Sequence, residues 1–228
     1  MNLTSLTTLA AQFAGDPQQT RYSGLYTQAL NFAQQQFALD SKCLWKDSSI
    51  TIIGGTATYS LPTDFMWEKM VTYSKSGGNS FIELKPISRH ELMRNRGDDW
   101  TTLTGDPEYF IIDPEEARKQ IRIFRYPPSG DVGGTLTLTY YPLPTDLSAG
   151  SDSPFNGYAL LAQFHIGVAA WAAWMLMQSE ADTEAIIAKK KELIQIYNDR
   201  VSQAVDTFKN TASQPFRMRG NRTYTTGR

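Results

Sequence analysis

The sequence predicts an α+β protein. N-terminal helices and a long C-terminal antiparallel helical hairpin form one helical layer, a small antiparallel β-domain is inserted between them, and a flexible C-terminal arm follows. Three observations carry this expectation. Apolar residues recur at spacings of three and four near both ends of the chain, the period falls to two from about residue 50 to 141, and periodicity stops beyond Asn210. The expected segments are 1–47 (N-terminal helices), 48–143 (β-domain), 144–210 (helical hairpin, packing with 1–47) and 211–228 (basic arm).

Leu3, Leu6, Leu9, Ala10 and Phe13 repeat at helical spacing, with Thr4 or Ser5 available as a cap and Gly15 placed to end the helix left-handed. Asp16-Pro17 then restarts a helix, Asp as N-cap and Pro at the first helical position, where its missing N–H leaves nothing unsatisfied. That second helix is expected to reach about Asp40, carrying Tyr22, Leu25, Tyr26, Ala29, Phe32, Ala33 and Phe37 on one face.

Ile50 and Ile52 alternate with Ser49 and Thr51, Gly54-Gly55 supplies a turn, and Ala57, Tyr59 and Leu61 alternate on the return, which reads as a β-hairpin. Trp67, Val71 and Tyr73 continue the period to Gly77-Gly78-Asn79, and residues 81–84 return. Ser88 and Glu91 form a capping box that opens a short helix closed by Gly97. After the turn Gly105-Asp106-Pro107 comes another hairpin, 109–113 with 120–126, then a strand with Leu136, Leu138 and Tyr140 on one face. These strands are expected to form a small antiparallel sheet curled into a sandwich or an open barrel. Residues 141–154, rich in Pro, Ser, Gly and Asp, lead back to the helices as a long loop.

The run YALLAQFHIGVAAWAAWMLM at 158–177 places Leu160, Leu161, Phe164, Val168, Trp171 and Met175 at helical spacing. Trp171 is expected to sit in the core, its removal costing on the order of 3–5 kcal/mol. Gln163 and His165, and Ala and Gly in place of strongly inserting Leu, Ile and Val, weigh against a membrane span. The small residues Ala162, Gly167, Ala169, Ala170 and Ala173 suit the close approach of another helix, from the same chain or a neighbouring subunit. Ser179 with Asp182 reads as the cap of a second helix, whose stripe is Ile186, Leu193, Ile194, Tyr197, Val201, Ala204, Val205 and Phe208.

The formal net charge of −1 gives no sign of a polyanion partner for the body, and Cys43, the one cysteine, excludes an intrachain disulfide. No basic region precedes an apolar run at the N-terminus, so synthesis in a reducing cytoplasm is expected. Catalytic, cofactor and metal residues are expected to be absent. His90 falls in the first turn of a short helix, and His165 lies in the core helix with no Cys or acid at i±3 or i±4 to share a metal. Asp98-Asp99 and Glu115-Glu116 are sequence neighbours that point apart, and Gly77-Gly78 and Gly133-Gly134 precede strands without the Lys-Ser/Thr of a phosphate loop.

The tail TASQPFRMRGNRTYTTGR holds Arg217, Arg219, Arg222 and Arg228 and no acid. It reads either as an inert end or as a docking arm. In the second reading the arginines, spaced by Phe216, Met218 and Tyr224, thread into an acidic or amphipathic groove and order on binding. Four charges give only modest counterion release, which makes DNA a weaker partner for it.

Four runs carry a family resemblance: IGGTATYSLPTDFMW at 53–67, LKPISRHELMRNRGDDW with TGDPEYFIID in 84–113, IRIFRYPPSG at 121–130, and LTLTYYPLPTDLS at 136–148. Together with the order of helices, sheet, Pro-rich loop, hairpin and arm, they make the chain resemble the head–tail connector (portal adaptor) proteins of tailed bacteriophages. The resemblance covers about residues 50 to 205 and rests on turns and strand ends. It implies a non-enzymatic structural protein of the virion, placed at the head–tail interface after synthesis in the host cytoplasm. It further implies a homo-oligomeric ring of about twelve copies, bound to the portal protein and to a tail or neck protein, around a channel through which DNA passes without sequence-specific binding. It implies no cofactor and no membrane. The portal-docking arm falls by position on Pro215, Phe216, Arg217, Arg219, Arg222 and Arg228. Other readings are a nucleic-acid-binding module or another virion accessory protein and, more remotely, an enzyme.

Overall fold

The computed structural model describes residues 1–76, 81–112, 120–129 and 134–212. Among them are five α-helices and two four-stranded sheets, with apolar side chains gathered into a helical core and, separately, the cores of the β region.

Helix α1 (Leu3–Phe13) buries Leu3, Leu6, Ala10 and Ala11. Asn2 caps it, rather than Thr4 or Ser5: the Ser5 N–H donates to Asn2 Oδ1 at 3.0 Å. Gly15 closes it left-handed, at φ 71°. Helix α2 (Tyr26–Ser41) starts ten residues after Asp16, not at it. The Asp16 carboxylate does not cap a helix; it gathers a loop, accepting from the N–H groups of Thr20 and Arg21 at 3.0 Å, from that of Tyr22 at 3.3 Å and from the Tyr26 hydroxyl at 2.8 Å. Left-handed Gln19 (φ 55°) and Gly24 (φ 79°) break the helical path between. Burial alone would raise the pKa of Asp16, but these donors hold it below the usual carboxylate range.

The first sheet has the order β1 (Lys46–Thr51), β8 (Thr135–Pro142), β3 (Phe65–Ser74), β4 (Phe81–Glu83); the second β2 (Thr58–Ser60), β7 (Gln120–Phe124), β6 (Tyr109–Ile112), β5 (Lys85–Pro86). All pairs are antiparallel except β5 with β6, which is parallel. The expected hairpin around Gly54-Gly55 is not one: β1 pairs with β8 and β2 with β7. Alternation tells which face a side chain takes, not which strand lies beside it. Ile52 and Tyr59 meet in one core because the turn, with Gly55 at φ 80°, passes the chain from one sheet to the other.

Helix α3 (Arg89–Arg96) is opened as expected by Ser88, which accepts from the Glu91 N–H at 3.2 Å, and closed by Gly97 at φ 70°. The β6–β7 pair and the buried row Leu136, Leu138, Tyr140 also match the expected pattern. The turn at 77–79 and residues 113, 115, 116 and 133 lie outside the described residues.

The expected continuous helix from Tyr158 is instead a 3-10 segment, Ala159–Phe164, followed by α4 (His165–Leu176) and a 3-10 turn, Met177–Ser179. Leu160, assigned to the apolar stripe, is 77% exposed, because three residues per turn set Leu161 and Phe164 inward together and turn Leu160 out. Helix α5 (Glu184–Ala212) starts beyond the Ser179 cap expected for it: the Ile186 N–H meets Thr183 Oγ1 at 3.4 Å. Trp171 is half-buried, its ring 5.8 Å from Trp174 and 6.3 Å from Tyr197, so its loss costs less than that of a fully enclosed tryptophan. Residues Ala159–Ser179 are long and apolar enough to cross a bilayer, yet 61% of the 18-residue window within them that meets this test is buried inside the protein.

Candidate docking surface

The expected arm residues Pro215, Phe216, Arg217, Arg219, Arg222 and Arg228 lie outside the described residues. Asp98 and Asp99 begin a 3-10 turn after α3. His90 is exposed and lines an open groove of about 520 Å³ with Glu68, Ser88, Glu91, Phe110 and Ile112. No hydrogen bond ties it to a carboxylate or hydroxyl among the described residues, so no nucleophile–base relay is assembled there. Nor do three potential metal-ligating side chains converge among the described residues.

His165, 3% exposed, is where α4 begins. Its Nδ1 accepts from the Met1 ammonium at 2.9 Å, which places the ring proton on Nε2, and Nε2 meets no partner among the described residues. Burial pushes its pKa down from 6.5 to about 4, the Met1 charge adds to the depression, and the hydrogen bond opposes it. The sign of the linkage follows. In the window from 6.5 down to about 4 the unfolded chain takes up a proton that the folded chain refuses, so stability that is full above the window is lost as pH falls through it. The urea midpoint is expected to drop across this window in the wild type and to drop less in His165→Gln. Parallel profiles for the two proteins would place the acid sensitivity in the carboxylates instead.

A surface not expected from the sequence lies at one corner of the first sheet. Trp67 pairs with Tyr141 across β3 and β8, and Lys46, the residue after Trp45, pairs with Tyr140. The three rings Trp45, Tyr141 and Trp67 thus line up across neighbouring strands. Trp45 is 51% exposed, Trp67 43%, Met70 42% and Leu143 40%. Lys69 Nζ stands 4.4 Å from the Trp45 ring centroid and Lys42 Nζ 5.8 Å from that of Tyr141. Trp67 is turned outward by the register shift in β3 between Glu68 and Met70, so it does not share the face of Val71 and Tyr73. The signal was present: Lys69 falls on the apolar parity between Trp67 and Val71.

The corner is balanced in charge. Lys42, Lys46 and Lys69 are matched by Asp47, Asp64 and Glu68. Lys46 Nζ pairs with Asp64 Oδ2 at 2.5 Å, and Asp47 Oδ1 accepts from the Thr139 hydroxyl at 2.6 Å. Exposed tryptophan and methionine beside a part-buried tyrosine, with little net charge, have the composition of a protein–protein contact rather than of a phosphate-binding face.

No curated protein matches the chain. A family model described as SU10 adaptor protein matches residues 1–221, nearly the whole of it. Extent of match, α+β architecture and a surface suited to protein contacts agree: the chain belongs to the SU10 adaptor protein family, a family of phage head–tail adaptors.

Proposed function

We propose that the protein is a structural virion component, an adaptor that joins the phage portal to the tail or neck as a ring of about twelve copies and lines the DNA channel without reading sequence. The family match over residues 1–221 carries this reading. In it, residues 1–47 and 144–210 act as one helical unit, with α4 and α5 as its antiparallel hairpin, and residues 48–143 act as the β-domain. The arm at 211–228 reaches into the portal, with Pro215 and Phe216 as apolar anchors and Arg217, Arg219, Arg222 and Arg228 pairing with carboxylates. The corner of Trp45, Tyr141 and Trp67 supplies a second, rigid contact to a protein of the neck. The net charge of −1 and the balanced corner count against the nucleic-acid-binding reading.

The free protein is expected to be a monomer or weak oligomer that forms the ring on its partner. Sedimentation of the isolated chain and of a portal mixture tests both parts. Deleting 211–228 is expected to leave the melting temperature nearly unchanged and to abolish cosedimentation with portal rings. Phe216→Ala with charge reversal at Arg217 and Arg219 should reproduce most of that loss. Wild-type occupancy by the truncated protein would make the arm passive, and failure of the intact protein to bind portal rings would overturn the adaptor reading.

A further inference from the structure

The chain holds one Asn-Gly step, Asn156-Gly157, and the fold sets it in the turn that leads to α4. A glycine leaves the backbone nitrogen that follows the asparagine unscreened by any side chain and free to rotate. Both residues are exposed, so water has access to them.

The turn is loaded. Phe155, Asn156 and Gly157 are left-handed in succession, at φ 56°, 55° and 73°, and the first two lack the freedom of glycine there. Their conformation is imposed from outside. Phe155 is fully buried, its ring centroid 5.4 Å from that of Phe37 and 6.0 Å from that of His165, and its N–H donates to Gln34 Oε1 at 3.3 Å. Release of this anchor relieves the strain. The Thr145 N–H donates to Asn156 Oδ1 at 3.0 Å, which polarises the carboxamide and makes its carbon a better target for a nucleophile.

The same turn withholds the nucleophile. At ψ 27° the Gly157 nitrogen lies on the side of the Asn156 Cα–C bond away from the side chain, out of reach of the carboxamide carbon, and its N–H donates to the Pro154 carbonyl at 3.2 Å. The bond must rotate before the two can meet, and that rotation breaks the turn.

We propose that Asn156-Gly157 is a self-modification site gated by the opening of this turn. Once it is open, the Gly157 nitrogen attacks Asn156 Cγ. The new N–C bond replaces the bond to the side-chain nitrogen, which leaves as ammonia with the proton shed by Gly157, and a cyclic imide remains. Water then opens the imide, with no oxidation or reduction at either step. Cleavage at Cγ leaves an aspartate, whose carboxylate can still accept from the Thr145 N–H. Cleavage at the main-chain carbonyl leaves an isoaspartate, which adds a methylene to the backbone and keeps the left-handed turn from re-forming. Phe155 then loses the backbone that seats it against Phe37. The modification is a one-way record of turn opening, and it is independent of the adaptor reading.

The test compares the intact chain with a free peptide of residues 150–162 in the same neutral buffer, using peptide mapping by mass spectrometry and isoaspartyl methyltransferase labelling. In the folded wild type, residue 156 is expected to convert at least about tenfold more slowly than in the peptide, because only the locally open form reacts. Phe155→Leu, which shrinks the anchor, is expected to bring the rate to within about threefold of the peptide's, well below the melting temperature of the variant. Gln34→Met, which releases the Phe155 N–H and the Thr145 carbonyl, should act in the same direction and serves if Phe155→Leu does not fold. Asn156→Asp, the same product as cleavage at Cγ, should keep the wild-type melting temperature. Conversion of the folded wild type at the peptide's rate would remove the gate. An unreacted residue 156 in the folded loosened variants, while the peptide converts, would remove the site.

Discussion

Phe37→Ala is expected to destabilise the protein by about 3–5 kcal/mol, the range for removing a phenylalanine from a close-packed core. Phe37 is fully buried on α2, and its ring centroid lies 5.4 Å from Phe155, 6.0 Å from Phe164 and 5.9 Å from Tyr197. It therefore joins three parts of the helical layer: α2, the 3-10 entry to α4, and α5. Its removal strips all three neighbours of their packing partner at once, and relaxation is restricted because Tyr197 is tethered, its hydroxyl donating to Asp40 Oδ2 at 2.5 Å. Since native domains are stable by only about 5–15 kcal/mol, the loss is a large fraction of the whole. Urea unfolding should show the midpoint shifted strongly with the slope preserved. A loss under about 1 kcal/mol would mean that the aromatic cluster closes over the cavity, contrary to the packing seen here.

Gly167→Val is expected to cost roughly 3 kcal/mol by overpacking. A Cβ at Gly167 would stand 2.9 Å from Arg200 Cβ and 3.1 Å from Phe37 Cε2. The first neighbour is anchored directly to the backbone of α5, so it cannot swing aside as the end of a long side chain could. Two effects oppose each other. Replacing a helical glycine gains at most about 1 kcal/mol in helix propensity, Gly167 lying in the first turn of α4, and intrusion into a filled interface costs about 1–3 kcal/mol. For Gly167→Ala these nearly cancel; for valine the two added methyls decide in favour of the clash. Thermal unfolding should rank wild type and Gly167→Ala close together and Gly167→Val well below. Arg200→Gly, which removes the struck Cβ, should recover part of the loss in a double-mutant cycle. Equal losses with and without Arg200→Gly would place the clash on the Phe37 ring instead.

Local chemistry was legible at several helix ends and in single strands, where the deciding partner lies within a few residues, although the caps of α1 and α5 fell on Asn2 and Thr183 instead of the residues expected. Gly15 and Gly97 end their helices and Ser88 caps α3, because caps and left-handed closures join atoms three to five positions apart. The row Leu136, Leu138, Tyr140 was readable because alternation is a property of one strand. The Asp16 loop was not, since the same carboxylate can cap a helix or clasp a turn, and the buried Tyr26 hydroxyl that donates to it was not visible in the chain's order. The tryptophan corner needed the paired register of β1, β8 and β3 to bring Trp45, Tyr141 and Trp67 together.

By itself the sequence determined the class of the protein: helical ends around a β middle, apolar faces where the period demands them, and a family likeness that the match over residues 1–221 bears out. Tertiary structure alone decided which strands are neighbours, that Leu160 turns outward, and that a groove opens between α1 and α5. The physical reason is one of range. Periodicity and caps are set by forces along a few bonds, whereas sheet order, the hand of a tight turn and the walls of a groove are set by packing among segments far apart in the chain, and hydrophobic burial is indifferent to sequence distance.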